Sequence, residues 1–251
     1  MTAIKHFFPL TGSQKRRLRE RKAAVRAANA ELDAATTAQK RVLIAKDVIK
    51  QLDAAKFLAK AGVYAVGSFM DTAYVATSAV LQANAYNREL PAVKAVLETD
   101  ARDFLLEAEV AGQGVSCNVC ALGGLFMSCM NLRNTVTLGD LTTSHQSQHR
   151  MRHYLGDIFE NEQLALIETA FECSVFAPHF DSDDDEDDNE ALAEEWGESD
   201  AAQAAIAFGN KFPKAEYRSC DCGCGDNKEN DEPRLRAIMQ NIIDNGGTFK
   251  P

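Results

Sequence analysis

Apolar residues along this chain recur mostly three and four positions apart, which predicts a protein built chiefly of helices. Val42, Ala45, Ile49, Leu52 and Lys56 hold that spacing, and Leu43, Val48, Ala55 and Leu58 widen the face. A helix is predicted there from Ala38 to Lys60, ended by Gly62 as the residue beyond its last turn. Before it, Gln14 to Leu32 carries no Gly or Pro and is rich in Arg, Lys, Ala and Glu. It reads as a helix with a thin apolar face, capped by Ser13. Val63-Tyr64-Ala65-Val66 reads as a short strand.

The pattern is less regular beyond that point. Phe69 to Asn87 shows no clean period, and residues 67–116 are mixed. Within them Leu90-Pro91 opens a helical stretch through Val93, Val96 and Leu97, and Gly112 to Gly114 break the chain. Ala121 to Leu132 is apolar enough for a buried helix, with Gly123-Gly124 allowing another backbone to come close. Thr137 to Asp140 reads as a turn and Thr142 to Phe159 as a helix. A further helix starts at Asn161 with Leu164, Leu166, Ile167 and Phe171 on its apolar face. Glu194 to Phe208 reads as helical with Trp196 as an anchor. Pro233 opens a last helix through Leu235, Ile238, Met239, Ile242 and Ile243, closed by Gly246-Gly247.

The fold class expected is α+β, predominantly helical: one core domain with a basic helical N-terminal extension and an acidic linker. The expected divisions are 1–37 for the extension, 38–180 for the core and 181–200 for a solvated acidic linker. Residues 201–251 form a C-terminal segment, with a Cys-rich loop at Ser219 to Asp231 and a terminal helix docking on the core. Charge sharpens this division. The first fifty residues hold twelve Lys/Arg against four Asp/Glu, and the rest hold fifteen against thirty-three. Twelve of the twenty residues from Asp181 to Asp200 are acidic, a density that resists packing. No apolar run is long enough for a membrane span, and no secretion leader is expected. Seven cysteines, several closely spaced, suit a reducing cytosol better than a disulfide framework.

Candidate chemistry centres on Cys117-Asn118-Val119-Cys120. With Cys220, Cys222 and Cys224 it could supply tetrahedral zinc ligands, although the second cluster is C-x-C-x-C. Alternatively Cys120, at a helix N-terminus, could be a nucleophile with Gln113 as oxyanion donor, on the pattern of the papain region. That reading needs a base from His145, His149, His153 or His179, and the residue spacing and the Trp of that region are missing. The third reading makes Cys117, Cys120 and Cys129 small core residues. His145, His149 and His153 share one helix face, but the outer two would stand about 12 Å apart, too far to hold one ion. Asp183, Asp185, Asp187 and Glu194 mimic a calcium loop, yet Asp188 stands where the turn needs Gly and Glu190 where an apolar residue belongs. Lys15, Arg16, Arg17, Arg19, Arg21, Lys22 and Arg26 wrap most of their helix, as suits contact with a phosphate backbone without base reading. The absence of a phosphate-binding Gly-rich loop argues against a nucleotide-hydrolysing core.

Several phrases together resemble uncharacterised proteins of bacteriophages and prophages. They are Ala45 to Leu52 with the following Val63-Tyr64, Cys117 to Gly124, Leu164 to Glu172, and Leu235 to Phe249 with its Ile-Met-x-Asn-Ile-Ile-x-Asn-x-Gly ending. The resemblance implies a setting, the bacterial host cytoplasm, and no particular activity. The function expected is that of a non-enzymatic binding or regulatory protein. Its basic helix and acidic tract would engage a host protein or nucleic acid, without cofactor or membrane, and self-association is compatible with it. The alternatives are a hydrolase using Cys120 and a zinc-stabilised module associated with nucleic acid.

Overall fold

Ten consecutive residues, Ala121 to Met130, are buried without interruption. A helix with no solvent face must be covered on all sides, and the other elements supply the cover. The structure is a computed structural model describing residues 7–62, 65–113, 116–133, 136–142, 148–177, 193–212 and 231–251. In chain order the elements are α1 (Gly12–Ala34), α2 (Thr37–Asp53), β1 (Phe57–Ala59), β2 (Ala65–Gly67), α3 (Ser68–Ala83), α4 (Pro91–Leu97), α5 (Ala101–Ala111), β3 (Cys117–Val119), α6 (Ala121–Leu132), α7 (Leu138–Thr142), α8 (Gln148–Leu155), α9 (Asn161–Glu172), α10 (193–198), α11 (Asp200–Gly209) and α12 (Glu232–Asp244). The protein is therefore α+β and predominantly helical. The acidic run through residue 192 and the Cys220–Cys224 loop lie outside the described residues.

Helix α6 is packed by α2, α8, α9, α1 and α5, and by all three strands. Leu122, Leu125, Phe126, Met127 and Met130 fill its contacts, each worth roughly 2 kcal/mol of burial. Gly124 faces the side chains of Val48, Val119 and Leu235 at ordinary contact distance. The close backbone approach expected at the glycine pair is not found at Gly124 and occurs at Gly209 instead.

The sheet has three short strands in the order β1-β3-β2. β3 runs parallel to β1, pairing Cys117 with Phe57 and Val119 with Ala59, and antiparallel to β2. This pairing explains why α2 stops at Asp53 rather than at Lys60. Ala54 caps the helix, Ala55 takes a positive φ of 52°, and Lys56 accepts a bond from the Cys117 amide at 2.8 Å. The helical spacing of Lys56 and Leu58 was coincidental, because residues 57–59 alternate inward and outward as a strand. Gly62 lies after β1 rather than after a helix.

Helix α1 begins one residue after Thr11, not after Ser13. Thr11 and Gln14 form a reciprocal capping box, as do Thr36 and Gln39 at α2. Helices α3 and α5 occupy stretches without a clean apolar period. In α5 the cause is visible, since Arg102 and Glu107 are buried among Phe104, Leu105, Leu106 and Ala108. Thr137 and Asp140 bond reciprocally and start a helix, α7, where a turn was expected.

The Ile-Met-x-Asn-Ile-Ile-x-Asn-x-Gly ending is a helix stop and a clamp. Gly247 donates to the Ile242 carbonyl at 2.8 Å and adopts φ 103°. The Asn241 amide then brackets Lys250, donating to its carbonyl at 2.7 Å and accepting from its N–H at 2.8 Å. Phe249 is thereby held in the core, edge-on to Phe208 at 5.2 Å.

Where α11 crosses α9, a Cβ on Gly209 would stand 2.0 Å from the Ala170 carbonyl oxygen. Backbone cannot yield cheaply there. Gly209→Ala is expected to cost about 2–4 kcal/mol in urea unfolding. Gly12→Ala, with nothing within 4 Å of the added methyl, should leave the midpoint nearly unchanged.

Candidate functional site

The Cys117–Cys120 segment is the strand-to-helix joint of the core. Cys117 begins β3, and Cys120 is the N-cap of α6, its sulfur accepting from the Gly123 amide at 3.4 Å. Cys117 and Cys120 are each 1% exposed and Cys129 3%. A thiol at a helix N-terminus gains from the dipole, but desolvation is the larger effect here. Burial pushes the Cys120 thiol far above its ordinary range, and the nearby carboxylates of Glu168 and Glu172 push the same way. Gln113 sits on the surface beyond the end of α5, whereas Cys120 is enclosed.

The other candidate ligands are placed as follows. Among the described residues no three His, Cys, Asp or Glu side chains gather as a metal ion would need. Cys220, Cys222 and Cys224, the remaining ligands of the zinc reading, lie outside those residues, as do His145 and His179. His153 is exposed on α8, edge-on to Tyr154 at 5.8 Å, and the side chain of His149 is outside the description.

Beside Cys120 the structure brings together a buried charged cluster that sequence patterning missed. Arg152 of α8 pairs with Glu168 of α9 at 2.8 Å, both almost fully buried. Arg234 of α12 lies 3.4 Å from Asp231 and donates to the Phe171 carbonyl at 2.6 Å. Asp231 accepts from the Ala61 amide and Glu172 from the Gly62 amide, at 2.8 and 2.9 Å. Three helices are thus tied to the chain just after β1. Burial raises the Glu172 carboxyl to about 7, helped by Glu168 and Asp231 and opposed by the Gly62 amide and Arg234. The signal in the sequence was one charged residue inside an apolar face, Glu168 following Leu164-Ala165-Leu166-Ile167. Buried charge of this kind, satisfied by backbone and opposite charge, fixes geometry.

The seven cations of α1 fall into two groups. Leu18 and Leu32 are buried, and Leu18 clusters with Leu106 and Val110 of α5. Residues on the same side turn inward. Arg21 forms an ion pair with Glu109, which Lys56 also engages at 2.5 Å. Lys22 binds Asp103 at 2.8 Å, and Gln14 donates to the Val110 carbonyl at 3.0 Å. Lys15, Arg16, Arg17, Arg19 and Arg26 are exposed. At 100° per residue, Lys15, Arg16, Arg19 and Arg26 fall within an arc of about 100° and span about 16 Å of helix axis. Two of the seven cations are used in docking α1, four form one outward flank, and the exposed Arg17 stands apart on another side of the helix.

Comparison with protein-family models, with curated proteins and with solved structures finds no match to this chain. Among the described residues no helix is long and apolar enough to cross a membrane.

Two outcomes follow from this geometry. Under native conditions iodoacetamide should label Cys173, which is half-buried, well before Cys117, Cys120 or Cys129, as mass spectrometry of timed digests would show. Fast labelling of Cys120 would contradict its enclosure. For Glu172 the folded carboxyl titrates near 7 against an ordinary 4.5. Its stabilising contribution is whole below about 4.5 and is lost as pH rises through about 7. Glu172→Gln should flatten that decline, gaining on the order of 1–2 kcal/mol over wild type at pH 8 after allowance for partial exposure. Thermal melts from pH 4.5 to 8 would measure it.

Proposed function

We propose that this is a non-enzymatic binding protein that presents the outer flank of α1 to a polyanion, the phosphate backbone of nucleic acid. The observation that carries the reading is the sorting of the α1 cations. Lys15, Arg16, Arg19 and Arg26 lie exposed on one flank, and among the described residues no ion pair occupies them. Arg21, on another face, and Lys22, at the edge of this flank, are engaged by Glu109 and Asp103 and hold the helix in place. A rigid row of cations over about 16 Å matches phosphates that recur along a duplex, and affinity then comes from release of counterions. No aromatic residue stands in the row, so the contact is to backbone rather than stacked bases. The acidic remainder of the chain favours an orientation with α1 toward the nucleic acid. The setting implied by the phage-protein resemblance, the cytoplasm of a bacterial host, belongs to the same proposal, with a host protein of acidic surface as the other class of partner.

Fluorescence anisotropy with a labelled duplex, repeated over a range of salt, tests this. Wild type should weaken steeply with salt. Arg16→Ala/Arg19→Ala/Arg26→Ala should lower the slope of log K against log salt by about 3. Arg21→Ala, which removes an internal pair, should leave the slope unchanged. Binding indifferent to salt, or an equal slope in the triple variant, would overturn the reading. No binding to any duplex would turn the search to an acidic protein.

A further inference from the structure

Between α1, α2 and α5 the packing leaves a cavity of about 290 Å³. A smaller one of about 180 Å³ shares Ala28, Asp47, Lys50 and Leu132 with it. The space is a half-open cleft rather than an enclosed void, and an occupant would add dispersion contacts to its walls. Here α1 turns the short side chains of Ala24 and Ala28 toward the space, and so holds it open. The way in passes the exposed Ala24 and Lys50.

Charge on the walls is unbalanced. Arg21, Lys50, Lys56 and Arg102 line the cavity against two carboxylates, Asp47 and Glu109. Glu109 is already engaged on both oxygens, by Arg21 and Lys56. Asp47 is bonded to the Gln51 amide at 3.1 Å and feels the charge of Lys50, so the cations outnumber the carboxylates by two on the walls and by one when Asp100 is included. Arg102 is the deepest of the cations, with 7% of its side chain exposed, and its ion pair to Asp100 at 3.1 Å points to a residue that does not line the cavity. A partly enclosed cleft with net positive walls favours an anion. The remaining walls are apolar, chiefly Val25, Leu105 and Leu132. The volume is at the small end of the range of about 300–1,000 Å³ typical of ligand pockets.

We propose that this cavity binds a small organic anion, with a carboxylate or phosphate head between Lys50, Lys56 and Arg102 and a compact apolar body against Val25, Leu105 and Leu132. The site is separate from the outer flank of α1 and stands whether or not that flank binds nucleic acid. Its occupant touches α1, α2 and α5 together and so fastens the basic helix to the body.

Isothermal titration of the full chain with phenyl phosphate and with benzoate tests the site, with benzyl alcohol as the neutral comparison. At least one anion should bind with a Kd below about 1 mM, and benzyl alcohol should not. Which anion binds identifies the head group. Lys50→Glu, on an exposed side chain, should weaken binding about tenfold or more. Ala28→Leu should fill the space and abolish binding while the melting temperature holds or rises. The Arg16→Ala/Arg19→Ala/Arg26→Ala variant should bind as wild type does. Absence of saturable heat for both anions up to about 10 mM would overturn the proposal. So would binding that survives both cavity variants, or that is lost with the outer cations instead.

Discussion

A helix buried from Ala121 to Met130 carries one polar side chain in that stretch, Ser128, which faces Asp47 of α2, so its neighbours must offer it an almost wholly apolar surface. That requirement explains much of the arrangement around it. α2 meets it with Ile44, Ala45, Val48 and Leu52, α9 with Leu164 and Ile167, and α12, packed on α2, reaches it with Leu235 at Gly124. The short sheet closes the end at which α6 begins, because β3 leads into the helix through a single residue, Cys120. Small residues let this joint lie inside the core. A cysteine there caps the first turn with its sulfur and demands little volume. Cys117 and Cys120 thus sit at this joint as small, buried side chains.

How much of this could be read in advance depends on the range of the interactions involved. The bounds of α6 were legible because an uninterrupted apolar run of that length allows few other solutions. The C-terminal helix was legible through Pro233 and the glycine pair, which are local signals. The end of α2 was not, because the competing pull is a strand pairing between residues 57–59 and 117–119. Helix α5 was hidden by two buried charged residues, Arg102, paired with Asp100, and Glu107, which accepts from the Phe8 amide ninety-nine residues away. The same applies to the basic helix. Nothing near Lys22 in sequence tells that Asp103, eighty-one residues away, takes its charge, while Arg19 is left on the surface.

The charged cluster next to Cys120 and the cations of α1 use similar residue types for opposite ends. Arg152 and Arg234 are enclosed, bonded to carboxylates and to backbone carbonyls, and serve to register three helices against the chain after β1. Their exchange for apolar residues could be tolerated in energy, but the register would lose its specification. The exposed flank of α1 has no such role in the fold. Charge that the fold does not use remains free to act on other molecules, and this contrast directs attention to α1 rather than to the cysteines.

The attachments of α1 carry a consequence for how the molecule opens. It rests on Leu18 in a small satellite cluster, on the buried Leu32 and on a few ion pairs and hydrogen bonds, while the Phe7 and Phe8 rings just before it pack against Phe104. Helix α6 opens only when its whole surround opens, whereas α1 presents one flank to solvent over its whole length, so its outer amides should exchange sooner than those of α6. The ion pairs that seat α1, Arg21–Glu109 and Lys22–Asp103, reach solvent while Arg152–Glu168 in the core does not, so added salt screens the seating of the basic helix more than the core pair.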